Sequence, residues 1–113
     1  MHMRIISWVK AAQKEFDTFP LEVKQKIVRA LRIAYEGKNA DIAKPMKGLG
    51  SGVFEIAFPH NTNAYRVVYA VQIGEDVWVI HAFQKKAKKG LATPKKEIDL
   101  IKDRIKWLKE NIK

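Results

Sequence analysis

The chain has 113 residues, of which 47% are hydrophobic, enough to bury one modest core and too many for a disordered basic tail. It has no cysteine, which excludes disulfides and thiol catalysis. No apolar run approaches the ~20 residues that would span a bilayer, and no secretory leader is read, so a cytoplasmic protein without a membrane partner is expected. The net charge is +10, carried unevenly: residues 82–113 hold ten Lys and one Arg against four acids. Such asymmetry points to an anionic partner, most often nucleic acid.

Met1-His2-Met3 leaves the native start open between Met1 and Met3 and supports no functional argument. The apolar run 4–9 predicts a strand. A short helix is predicted over 10–17, with Ala11, Ala12 and Phe16 on one side. Pro20 suits a first helical position. Beyond it Ile27, Val28, Leu31, Ala34 and Tyr35 recur at helical spacing until Gly37. These two helices form a predicted hairpin on the sheet.

Residues 38–52 read as a loop. Residues 53–58 read as a strand ending at Pro59, followed by the turn-rich His60-Asn61-Thr62-Asn63. Two further strands, 64–73 and 77–83, flank the turn Gly74-Glu75-Asp76. Both are apolar on both faces, as expected of central strands covered by helices. The last helix starts with Thr93 as N-cap, Pro94 in the first helical position and Glu97 in the first turn. Ile98, Ile101, Ile105, Leu108 and Ile112 give it a narrow apolar stripe, and its opposite face is lysine-rich. The order is β-α-α-β-β-β-α in one α+β domain over 1–113, with helices against a mostly antiparallel sheet.

Familiar catalytic motifs are missing. Gly48, Gly50 and Gly52 lead into a strand and lack the Lys-Ser/Thr of a phosphate loop. His60 and His81 are isolated, so no metal site or cofactor is expected. The feature that stands out is residues 64–90. An antiparallel hairpin brings Arg66, near its start, beside Lys85, Lys86, Lys88 and Lys89 at its end. A cationic cluster on a rigid sheet suits a phosphate backbone.

Phe54-Glu55-Ile56, Tyr65-Arg66-Val67-Val68-Tyr69, the run from Val79 to Lys86 and Thr93-Pro94-Lys95-Lys96-Glu97-Ile98 together resemble the phage-derived HigB-like branch of the RelE/ParE toxin superfamily. The resemblance extends over nearly the whole chain. It implies a RelE-like fold and the toxin of a type II toxin–antitoxin pair. The activity implied is a ribosome-dependent, metal-independent mRNA endoribonuclease. Its partners would be mRNA, ribosomal RNA and a helix-turn-helix antitoxin. The ParE branch implies a gyrase poison instead, and a non-catalytic RNA-binding domain is the third reading.

By the same resemblance Arg66 matches the arginine of the family's "YR" strand, and Lys85 falls where a second arginine stands. Glu55 and Ala57 occupy positions that hold two lysines in RelE. The tyrosine that follows the last strand there has no counterpart here. RNA cleavage by a 2′-hydroxyl needs a base, a cation on the phosphorane and an acid for the leaving oxygen. The candidates are Arg66 as phosphate grip, Lys85 or Lys86 as charge or proton donor, and Glu55 or His81 as base. Lys47, Lys88 and Lys89 are candidate backbone contacts, and Tyr65 a base-stacking one. Each also has a structural reading: Arg66 as a partner of Glu55 or Glu75, His81 as a core histidine, Tyr65 and Tyr69 as core walls. Oligomeric state and codon preference stay open.

Overall fold

The computed structural model describes residues 5–86 and 92–112. The elements in chain order are β1 (Ile6–Trp8), α1 (Lys10–Asp17), α2 (Leu21–Tyr35), β2 (Ala43–Pro45), β3 (Val53–His60), β4 (Asn63–Ala70), β5 (Val77–Lys86) and α3 (Lys95–Asn111). The strands form one sheet in the order β1-β5-β4-β3-β2. All neighbours are antiparallel except β1 and β5. The α+β class and the element order match the expectation, with β2 added inside the segment read as loop. Three residues flanked by turns are too few for a visible alternation.

Strand alternation divides the core in two. Tyr65, Val67 and Tyr69 of β4 face α1 and α2, with Ile27, Leu31 and Phe16 packed on them. Val68 and Ala70 face α3, whose Ile101, Ile105 and Leu108 bury the other side. β4 is therefore buried on both faces, which explains its unbroken apolar run.

Local chemistry accounts for the element ends. Gly52 holds φ at +78°, and a Cβ there would lie 2.8 Å from Gln72 Cγ, so the entry to β3 needs glycine. β3 runs through Pro59 to His60, beyond the predicted stop. β2 pairs only with residues 54–56, so Pro59 stands on a locally free edge and its missing N–H costs no ladder bond. Thr93 does not cap α3. The cap is Pro94, without a side-chain bond, because the threonine hydroxyl is taken by Glu55.

One irregularity decides where side chains point. Val68 pairs with His81 and Tyr69 with Val79, leaving Ile80 as an extra residue in β5. This bulge resets the alternation. His81, Phe83 and Lys85 consequently share the face of Arg66, Val68 and α3, while Lys86 falls on the other. No helix among the described residues is long and apolar enough to cross a membrane.

Candidate functional site

α3 covers only part of its face. At the end where Glu55, Ala57 and Arg66 lie, the sheet is open. A cleft of about 380 Å3 forms there, lined by Asp41, Ile42, Lys44, Glu55, Ala57 and Arg66. Arg66 stands opposite Ala57 on β3 and Phe83 on β5. Its Nη1 donates to Glu55 Oε1 at 3.0 Å. The two side chains are 6% and 14% exposed, so the pair is largely withdrawn from water and removing either partner leaves a buried charge uncompensated. The other carboxylate oxygen, Oε2, accepts the Thr93 hydroxyl at 2.8 Å.

Lys85 pairs with Ala64 in the ladder, two residues from Arg66 on the same face. Its Nζ donates to the Ala92 carbonyl at 2.7 Å, so two bonds from the sheet, to Ala92 and Thr93, tie down the approach to α3. Arg66, Glu55 and Lys85 are thus gathered on one face. Lys86, paired with Asn63, is turned to the opposite one.

The remaining sequence-derived candidates lie elsewhere. Tyr65 is 6% exposed, its ring packed against Phe19 at 4.9 Å, so it is core and offers no face to a base. Lys47 is exposed in the turn between β2 and β3, at the far end of β3 from Ala57. Lys88 and Lys89 lie outside the described residues. Of the two acids considered for it, Arg66 forms an ion pair with Glu55.

His81 is 1% exposed and belongs to a separate polar cluster. Its Nδ1 lies 2.7 Å from Arg104 Nη1, and its Nε2 lies 2.6 Å from Glu97 Oε1. Arginine has only donors, so Nδ1 accepts and the ring proton sits on Nε2, donated to Glu97. Arg104 also binds Glu15, at 3.0 and 3.2 Å. The cluster repairs a sheet edge. β1 ends opposite Val79, and past it Arg104 donates to the Ile80 carbonyl while Glu15 accepts the Ala82 N–H. These groups join α1, β5 and α3 around otherwise unpaired backbone.

Two polar cleft residues, Asp41 and Lys44, were not singled out from the sequence, and Thr93 was read there only as a helix cap. The first two lie in a loop-like segment without periodicity, and Thr93 carried a capping signal that fits its sequence position equally well. Among the described residues no group of three His, Cys, Asp or Glu converges as a metal site.

The sequence profile of a family described as phage derived protein Gp49-like matches residues 14–106. A double arginine-to-alanine mutant of E. coli toxin RelE in the free state superposes with a TM-score of 0.62 at 19% identity, covering 94% of this chain and 98% of that one. The crystal structure of the isolated E. coli RelE toxin in its P21 form gives 0.59 at 21% identity, covering 78% and 88%. No curated protein matches in sequence.

Proposed function

From the premise that the chain belongs to the phage-derived Gp49-like family and has the fold of RelE, we propose that it is the toxin of a type II toxin–antitoxin pair, an endoribonuclease that cuts mRNA on the ribosome. The observation that carries this reading is the Arg66–Glu55 pair in an open cleft on the sheet, with Thr93 bonded to the same carboxylate.

The chemistry is transesterification. The 2′-oxygen of the cut nucleotide forms a bond to the adjacent phosphorus, the bond from phosphorus to the 5′-oxygen breaks, and a cyclic phosphate and a 5′-hydroxyl result. Glu55 takes the 2′-hydroxyl proton. Arg66 meets two phosphoryl oxygens with its fork and stabilises the charge that grows there. The two roles are linked: once Glu55 is protonated it holds Arg66 less tightly, and the guanidinium turns to the phosphorane. Lys85, on the same face, protonates the leaving 5′-oxygen. Thr93 keeps the Glu55 carboxylate in position from the α3 side. The ribosome supplies the strand in a bent pose, and a small helix-turn-helix antitoxin is the expected inhibitor.

Primer extension on a message translated in a purified system, with and without ribosomes, tests the reading. Ribosome-dependent cuts that disappear in Arg66→Ala support it. Absence of RNA cuts together with a DNA-damage response on expression would replace it with gyrase poisoning. RNA binding without either effect would replace it with a non-catalytic domain.

A further inference from the structure

The α3 side of the molecule carries a second recess that this reaction leaves unused. A groove of about 440 Å3 runs between α3 and the turn joining β2 to β3. Its walls are Gly48 and Gly50 on one side and Lys102, Lys106 and Lys109 on the other, with Glu110 the one acid among its lining residues. The lysines stand four and three residues apart, hence on one helix face, about 6 and 4.5 Å apart along the axis. All three are exposed. Among the described residues none of their side chains makes a hydrogen bond or ion pair. Gly50 is bare backbone facing the stripe, where a Cβ would lie 3.8 Å from Lys109 Nζ.

The groove is also the neighbour of the cleft along the chain. Asp41, Ile42 and Lys44 line the cleft, and Gly48 to Gly50 line the groove. Only the rest of β2 and its turn separate them, with Lys47 exposed between. We propose that the groove is a second subsite for the ribose-phosphate backbone of single-stranded RNA, continuous with the cleft across β2, in which Lys102, Lys106 and Lys109 contact successive phosphates. The inference rests on the reading that the Arg66 cleft takes RNA, because it assigns the groove the flank of the same strand. The apolar lining residues Leu49 and Ile105 are 7% and 6% exposed, so they offer little apolar surface to a protein segment. A row of point charges suits a row of phosphates.

The test is equilibrium binding of fluorescein-labelled 2′-O-methyl oligoribonucleotides, which have no free 2′-hydroxyl to attack. Probes of about 4 and about 14 nucleotides fill one subsite or both. Wild type is compared with K102Q/K106Q/K109Q and with K102R/K106R/K109R as the conservative control, at several salt concentrations. The glutamine variant is expected to lower the salt slope for the long probe by about 2, three charges at about 0.7 each, and its affinity on the order of 10²-fold at low salt. The short probe should bind as before, and the arginine variant should restore the long one. An unchanged slope overturns the proposal. So does equal loss on both probes, which marks general attraction, or polyglutamate competing better than RNA, which marks a groove for acidic protein. Unmodified RNA is assayed for cutting in parallel. Lysine-dependent binding of the long probe without cutting leaves the groove standing and removes the nuclease reading alone.

Discussion

Replacing Glu55 by glutamine separates the chemistry of the cleft from its architecture. Glu55 accepts from Arg66 at 3.0 Å through one oxygen and from Thr93 at 2.8 Å through the other. Glutamine has the same shape and preserves both contacts: its carbonyl receives Arg66, and its amide donates to the threonine oxygen. The loss is charge assistance, about 1 kcal/mol for each bond, or about 2 kcal/mol in all. For a chain of this size that lowers the melting temperature by roughly 10 °C. Removal of a general base costs about 10²–10⁴ in rate, equivalent to about 2.7–5.4 kcal/mol of barrier. The assay is the cutting rate of a defined message in a purified translation system, with thermal unfolding measured on the same protein. The expected result is a folded variant, somewhat less stable, with cutting reduced at least about 100-fold. A folded Glu55→Gln protein that cuts within about threefold of wild type, a barrier change under about 1 kcal/mol, refutes the assignment. It would leave Glu55 as a structural partner of Arg66.

Three further outcomes are expected. Strand parity separates two adjacent lysines: Lys85→Ala should slow cutting about 10²-fold, whereas Lys86→Ala, on the opposite face, should leave the rate in the cleft nearly unchanged in the same assay. Burial pushes the Tyr69 phenol up to about 12, and its hydroxyl has no hydrogen-bond partner among the described residues. The unfolded chain therefore releases this proton near pH 10 while the folded one holds it. Stability is fully present below pH 10 and falls by about 2–3 kcal/mol as pH rises to about 12. Tyr69→Phe should remove that part of the alkaline loss in urea titrations and stabilise the neutral-pH protein by up to about 1 kcal/mol. Arg104→Ala strips the Ile80 carbonyl, His81 and Glu15 of one shared donor. The site is partly solvated, so the expected cost is about 2–3 kcal/mol in denaturant unfolding, below that of a fully buried pair. Arg104→Lys should recover only part of it, because an ammonium cannot span the same acceptors.

Much of the fold could be read before the structure. The periodic stripes of α2 and α3, the prolines beside both helix starts and the apolar runs of β4 and β5 each carry enough residues to show their period. β2 was unreadable because three residues have none. Thr93 was misread because a hydroxyl before Pro94 is a capping signal by position, and nothing local records that Glu55, 38 residues away, claims it first. His81 is the sharper case. Its place in β5 left its face undetermined, because the bulge at Ile80 depends on pairing with β4.

The sequence by itself determined the α+β layering, the two-sided burial of the central strands, the family and the cationic character of the hairpin at 64–90. Those follow from local periodicity, composition and short motifs, which need no partner to be legible. Only the tertiary structure decided which cations lie on one face. It set Lys85 rather than Lys86 beside Arg66, withdrew His81 into a cluster with Arg104, Glu97 and Glu15, and joined Arg66 to Glu55 and Thr93. Side-chain direction in a sheet is a property of register, and register is settled between strands far apart in the chain.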